Sequence, residues 1–594
     1  MPISTLNDLF LNTTTTVPKP NLLMHKVGGV YASLSTQEVR QAVEELAHGL
    51  GTLGLSRGDR IALLSENRPG WAISDYAILA IGAVNVPIYP TLPAKQIQYI
   101  LEDSQSKAII VSTAAQLEKV KTILEAIPSL QWVILLDEAP VHGERIRGYS
   151  SVCALGREKR RQEPGLFAKL CRASKPEDMA TLIYTSGTTG NPKGVMLSHK
   201  NIISNIEACD GLIEMGPTDV ALCLLPLCHI YERMIDYLIF FKGVTIAYAE
   251  SIDAVGANMM EVRPTFMASV PRLYEKMYMR LQERAASASS VQKKIFDWAV
   301  ATGREWAKQK LARKQVGGWL EMRHRLADRL VFSKFRERTG GHIRFFLSGG
   351  APLARELGEF FYAAGLLILE GYGLTETSPV ITFNRNESFK FGTVGQPVRG
   401  VEVSIAEDGE ILTRSDSVMM GYYRRPEETA EVMTGGWFHT GDIGVMDDEG
   451  FLRITDRKKD LIVTSGGKNV APQNIENQLK TCSVVQNIVV VGNRRNYVSA
   501  LVVPNFERVE AYARMAGITF QSREDLVKNP EVADFVLREI NAATPELASF
   551  ERVKKIALLS SDFTIESGEL TPTMKVKRNV VEAHYKEQID RLYG

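Results

Sequence analysis

Tyr184 to Val195 reads YTSGTTGNPKGV, and its composition is that of an anion cradle. It holds the hydroxyls of Thr185, Ser186, Thr188 and Thr189, the glycines Gly187, Gly190 and Gly194, and the ammonium of Lys193. Glycine lets main-chain N–H groups turn inward at positive φ and approach a ligand closely, while hydroxyls and a cation neutralise a polyphosphate. A Walker loop would need Gly-x4-Gly-Lys-Ser/Thr. Here Pro192 stands five residues after Gly187, and Lys193 is followed by Gly194, so that pattern fails. The plain alternative is a surface turn of ordinary Gly and Thr, against which stands the density of phosphate-binding groups in this stretch. The apolar run Met179–Tyr184 (MATLIY) has strand character, so the loop is expected to hang from a strand end.

Upstream, a helical pattern from Ser35 (Val39, Val43, Leu46, Leu50) closes at Gly51. Arg60–Leu64, Ala108–Ser112 and Trp132–Leu136 read as strands, and Trp71–Val86 reads as helix. Strands alternating with helices imply a parallel α/β sheet. The polar segment between Asp137 and Pro176 reads as a surface excursion. Downstream, the strand Ala221–Leu225 runs into Pro226-Leu227-Cys228-His229, and a lone histidine in such a place can be structural or chemical. Two further strands end in glycine turns: Ile343–Leu347 before Ser348-Gly349-Gly350-Ala351-Pro352, and Leu366–Leu369 before Glu370-Gly371-Tyr372-Gly373-Leu374-Thr375-Glu376. Strand-to-glycine junctions are where α/β folds present their ligand edges. Residues 391–455 change to short alternating runs with Gly and Asp turns, the texture of a small β-rich subdomain.

At 594 residues the chain exceeds one compact core, and its 45% hydrophobic and 23% charged content is that of a soluble globular protein. No apolar run reaches the length of a membrane span, and the first residues lack a basic region leading into an apolar core, so a cytoplasmic, unprocessed protein is expected. Six cysteines without CxxC spacing read as buried reduced thiols, and Cys228 beside His229 makes a poor zinc site. The net charge of +1 hides an asymmetry: Lys276–Arg338 carries sixteen Lys or Arg against six Asp or Glu. Helical spacing there (Ile295, Trp298, Ala299, Thr302, Trp306), broken at Gly317-Gly318, fits amphipathic helices with solvated charges. The functional alternative is contact with an anionic membrane, with tryptophans set among cations. No recognition motif accompanies the charge, so nucleic acid is not expected as a partner.

The YTSGTTGNPKGV and YGLTE strings together resemble the adenylate-forming (AMP-binding) superfamily: acyl-CoA synthetases, firefly luciferase and peptide-synthetase adenylation domains. The resemblance implies a large N-terminal domain, residues 1–458, of stacked α/β sheets with a β-barrel-like subdomain. A hinge then joins it to a small mobile α+β domain, residues 459–594. It implies that Gly349, Gly350, Ala351 and Pro352 wall an adenine, and that Tyr372, between Gly371 and Gly373, stacks on it. Thr375 would meet the α-phosphate, and Glu376, with Thr188, would help hold Mg2+. His229 would lie near the reacting carboxylate. Asp442 would bind ribose hydroxyls with Arg457 assisting, Lys459 would be the hinge, and Gly466, Gly467 and Lys468 would face the CoA tunnel. Lys575 would be the catalytic lysine, in a stretch (LTPTMK) where Met574 replaces a common Gly and Lys577 keeps a smaller claim.

The extended agreement, including GYGLTETSPVIT and the basic insert, is most similar to long-chain fatty acid–CoA ligases, implying ATP, Mg2+, CoA and a fatty acid as reaction partners. No carrier-domain sequence follows Gly594, which disfavours a peptide-synthetase module. The runner-up is an acyl–acyl carrier protein synthetase, whose protein acceptor would suit the basic surface, and a ligase for another carboxylic acid stands behind it. A nucleotide- or lipid-binding protein without turnover would be expected to lack Lys193, Glu376 or Lys575. All three are present.

Overall fold

The computed structural model describes residues 3–185, 192–465, 467–479, 482–564, 567–571 and 575–594. Two large sheets form the N-terminal part. The first, of eight strands, is ordered 421–422, 193–198, 179–185, 84–88, 60–64, 108–111, 132–135, 146–148, and its last six strands after 193–198 run parallel. The second, of nine strands, has a parallel centre built from 245–248, 220–223, 266–269, 345–348 and 367–373.

Strand alternation assigns each face to a core. Ala221 and Cys223 join the core between the sheets, where helices Pro69–Ala80 and Ile230–Phe241 lie, while Leu222 faces the outer core with Met267 and Phe346. A third core covers the other side of the first sheet, with Ala62, Leu64, Ile109 and Val111 beneath helix Ala94–Ser104. The period-2 pattern of buried strands thus produces a five-layer helix–sheet–helix–sheet–helix stack.

The central layer also holds a buried polar knot. Arg233 bonds both carboxylate oxygens of Asp75, at 2.5 and 3.1 Å, and donates to Thr181 and Tyr237, all with almost no exposure. It ties both helices to the first sheet. A charge in such a place is tolerated only when paired and fully hydrogen-bonded.

Two expectations change. The helix begun near Trp71 stops at Ala80, and Val84–Ile88 is a strand, because Gly82 takes φ +71° and turns the chain. The segment after Asp137 is largely helical, Tyr149–Gln162 and Leu166–Ala173, and the first of these packs on helix Thr36–Thr52. Gly49 and Gly156 permit that contact: a Cβ on Gly156 would lie 1.7 Å from the Glu45 carbonyl oxygen.

Strands 402–405, 410–414, 433–434, 437–446 and 452–457 form a five-stranded antiparallel sheet. Beyond it lies a separate core around strands Val485–Val491, Ser499–Pro504 and Lys555–Leu558, covered by helices that include Phe506–Met515 and Pro530–Ala543. All six cysteines are unpaired and buried. Among the described residues no helix is long and apolar enough to cross a membrane.

Candidate active site

The edge where both large sheets end, the five-stranded sheet and the C-terminal part enclose one cleft. Strand Met179–Thr185 pairs antiparallel with Lys193–Ser198, Thr185 opposite Lys193, so the two ends of the glycine-rich loop are fixed side by side. Ser186, Gly187, Thr188, Thr189 and Gly190 lie outside the described residues. Next to Lys193–Ser198 runs the short strand Gly421–Tyr422. The Tyr422 ring sits 5.2 Å from Lys193 Nζ, and its hydroxyl donates to Glu376 Oε1 at 2.9 Å. One aromatic side chain therefore couples the loop's cation to the carboxylate expected to meet a metal.

Thr375 and Glu376 begin a single 3-10 turn, Thr375–Thr377, directly after strand Leu367–Gly373. The Glu376 carbonyl accepts from Met419 N–H at 2.8 Å, which fixes the backbone beside the 421–422 strand. Burial raises the Glu376 carboxyl above the usual range, restrained by Tyr422 and Arg457. Gly373 is obligatory here, since a Cβ would fall 1.7 Å from the Pro379 carbonyl oxygen.

Asp442 and Arg457 stand directly opposite each other in the register of strands Trp437–Met446 and Leu452–Arg457. Their ion pair measures 3.1 Å, and Tyr372 donates its hydroxyl to the other Asp442 oxygen at 2.7 Å. Asp442 is buried yet keeps a free lone pair on each oxygen, which is what a ribose diol needs. Gly371 lies on the same strand as Tyr372, packed under Phe383.

Gly349, Gly350, Ala351 and Pro352 follow strand Phe345–Ser348. Gly349 leaves the space the Tyr231 ring fills, a Cβ there being 2.8 Å from that ring. The turn is pinned by Glu370, whose carboxyl accepts from Leu353 N–H at 3.1 Å. Burial pushes the Glu370 carboxyl up to about 8, against the lowering effect of the Leu353 N–H bond.

His229 caps helix Ile230–Phe241: its Nδ1 accepts from Tyr231 N–H at 3.1 Å. Burial, then the charge of Lys575, lowers its pKa to about 4. The imidazole is neutral, and with Nδ1 accepting, the proton sits on Nε2 as a donor.

Lys575 comes from the C-terminal part, yet it lies within electrostatic reach of Glu376, Asp442, Arg457 and His229. Solvent in the cleft reaches its side chain, but protein surrounds it closely. That environment, followed by Arg457, lowers it to about 8, with Asp442 and Glu376 pulling it back up. Lys577 stands at the N-terminal boundary of helix Arg578–His584, with no side-chain bond to the helix end.

Lys459 sits exposed in the turn between these parts, immediately after Lys458, which is anchored to Asp408 and Glu410. Gly467 and Lys468 close a hairpin between Ile462–Val463 and Asn469–Val470, with Lys468 over the Phe550 ring. Gly466 lies outside the described residues.

The family model for AMP-binding enzymes matches residues 16–423, and the model for their C-terminal domain matches residues 459–594. The chain belongs to the AMP-binding enzyme family. Within it, the chain is 37% identical over 573 residues to the long-chain-fatty-acid–CoA ligase FadD15 of Mycobacterium bovis, covering 96% of this chain and 93% of that one. It is 32% identical to the peroxisomal long chain acyl-CoA synthetase 7 of Arabidopsis thaliana, covering 100% of this chain and 87% of the other. In structure it superposes with TM-score 0.75, at 25% identity, on the adenylation domain of a carboxylate reductase from Mycobacterium chelonae, over 100% of this chain and 92% of that one. AMP-binding enzymes share the large N-terminal and small C-terminal α/β organisation seen here.

Sequence reasoning passed over Tyr422 and the separate role of Glu370. Tyr422 belongs to no motif, and only pairing of its two-residue strand with 193–198 brings it to the site. Glu370 was visible in its string, but nothing in the sequence tells that its carboxyl turns back to Leu353.

Proposed function

We propose that this chain is a long-chain fatty acid–CoA ligase: it joins a fatty acid to the AMP part of ATP, releasing pyrophosphate, then transfers the acyl group to CoA and releases AMP. The observation that carries this reading is Lys575, brought from the second domain into a cleft already holding Glu376, Asp442, Arg457 and His229. The family relatives named for long-chain fatty acids support the choice of acid.

A carboxylate attacking a polyphosphate meets charge repulsion, which preorganised cations and N–H donors reduce. Lys575 lies where it can bridge the attacking carboxylate and the α-phosphate. Neutral His229 offers Nε2–H to the same carboxylate without adding a titrating charge. Asp442, held by Arg457 and Tyr372, fixes the ribose, and Lys193 with the flanking loop takes the outer phosphates. A lone carboxylate beside polyphosphate suits Mg2+, which binds one or two carboxylates together with substrate phosphates; Glu376 is the residue that would hold it. When bound, the ion neutralises developing phosphate charge.

With Lys575 among Glu376, Asp442, Arg457 and His229, the arrangement is suited to the first half-reaction. Rotation about Lys459 would exchange the Lys575 face and the 467–468 face for thiol transfer. The six buried free thiols support a reducing, cytoplasmic setting, and the basic insert supports contact with anionic lipid.

The test supplies MgATP and a series of fatty acids with CoA, and separately with reduced acyl carrier protein, following AMP and thioester. Acyl-CoA peaking at long chains supports the reading. Thioester on acyl carrier protein alone replaces the acceptor, and AMP release with neither points to a different carboxylate or partner.

A further inference from the structure

The basic insert presents one apolar stripe that the fold leaves uncovered. Helix Gly318–Ala327 continues through a π turn, Asp328–Phe332, into Ser333–Glu337. Its inner side, Leu320, Ala327, Phe332 and Phe335, is buried. Its outer side carries Trp319, Met322, Leu326 and Leu330, exposed by 69, 55, 51 and 40%. Spacings of three, four and four place these four on one helical face. Large apolar side chains exposed singly are ordinary, but a contiguous stripe of four marks a contact surface.

Cations flank it. Arg313 to Arg338 holds eight Lys or Arg against three Asp or Glu. Arg329, Lys334 and Arg338 are exposed and form no ion pair among the described residues; Arg325 meets Glu321 only at 4.0 Å, and Asp328 is occupied by Arg336. Glu337 is the one exposed acid on this side. The other tryptophans expected to serve an interface do not. Trp306 stacks on His324 at 4.1 Å and bonds Glu321, and Trp298 lies under Arg323, so both hold the long helix Ser290–Leu311 against this one.

We propose that this stripe docks the protein on the surface of an anionic phospholipid bilayer, with Trp319, Met322, Leu326 and Leu330 entering the headgroup–acyl boundary and Arg325, Arg329, Lys334 and Arg338 meeting lipid phosphates. An exposed apolar face bordered by arginine and lysine is the pattern of an in-plane interfacial helix. Charge complementarity selects the lipid: each cation near an anionic surface strengthens binding roughly fivefold. Collection of a bilayer-dissolved substrate as the purpose of docking rests on the ligase reading, whereas the docking itself rests on this face alone.

The experiment co-sediments the full-length protein with phosphatidylcholine vesicles and with vesicles also containing phosphatidylglycerol, at low and high salt. Binding is expected only with the anionic lipid and is expected to weaken as salt rises. Trp319→Ser with Leu326→Ser, and separately Arg325→Glu, Arg329→Glu and Lys334→Glu together, should each reduce binding at least tenfold. Met515→Ser, at a 90% exposed site on the C-terminal part, should leave binding unchanged. Anionic vesicles should shift the wild-type tryptophan emission to the blue, and Trp319→Phe should abolish that shift. Acyl-CoA synthesis from a short, soluble acid without vesicles reads the cleft alone and should be the same in every variant. Three results would overturn the proposal: no vesicle binding, binding that ignores these substitutions, or a wild-type dimer in solution that Trp319→Ser with Leu326→Ser dissociates.

Discussion

Tyr422→Phe removes one oxygen atom and tests whether the cleft works as a coupled unit. The phenylalanine keeps the ring that lies 5.2 Å from Lys193 Nζ and deletes the 2.9 Å hydrogen bond to Glu376 Oε1. A hydrogen bond to a charged acceptor is worth about 1.5–3 kcal/mol, so adenylate formation should slow roughly 10- to 150-fold. The pH profile should also move. Burial already holds Glu376 above the usual carboxylate range, and Tyr422 is one of the groups restraining it. Without that donor the pKa rises further, and because the ionised form is the one that holds a metal, the acid limb of the rate profile should shift to higher pH. Pyrophosphate exchange into ATP, measured against Mg2+ concentration and pH, reads both effects. Thiol transfer from supplied acyl adenylate should be nearly unchanged. Exchange rates and Mg2+ titrations superimposable on the wild type would refute the coupling.

Asp75→Ala strands a buried guanidinium and should cost about 3–5 kcal/mol in urea unfolding, with Asp75→Ala/Arg233→Met recovering part of it. Gly373→Ala should not accumulate as folded protein, because of the Pro379 contact. Gly400→Ala, at φ +78° in open space, should cost only about 1 kcal/mol by thermal melting. His199, 2% exposed with Nδ1 accepting from Leu6 N–H, is lowered from 6.5 to about 4 by burial. The unfolded chain therefore binds a proton first: the His199 contribution is full above the ordinary histidine pKa and is lost as pH falls toward 4. That loss is about 3 kcal/mol, and His199→Gln should flatten this part of the stability-versus-pH curve from denaturant titrations.

The strands around the site were legible because buried parallel strands are short apolar runs, and the glycine turns after them marked the ligand edge. Asp442 and Arg457 were legible as a spaced pair, and the structure adds the reason: fifteen positions of chain return the arginine to the same register position on the neighbouring strand. What the sequence hid depends on tertiary pairing. Val84–Ile88 continued an apolar run from a helix, and only Ile81, Gly82 and Ala83, turned at Gly82, separate the two. Helix Tyr149–Gln162 looked like polar surface because its buried face is narrow, only Val152, Cys153 and Gly156, in a helix otherwise rich in Arg, Lys and Glu. Trp298 and Trp306 looked like interface residues until their partners on the next helix were seen, whereas Trp319 stood one residue past the Gly317-Gly318 break and drew no notice.

The central claim is that Lys575, delivered by the second domain, acts on the carboxylate and the α-phosphate during adenylation and leaves before thiol transfer. Lys575→Ala separates the two halves. Pyrophosphate exchange with a long-chain fatty acid should fall by several orders of magnitude, while conversion of supplied acyl adenylate and CoA to acyl-CoA should stay near the wild-type rate. Equal loss in both halves, or exchange that survives the substitution, would contradict the account.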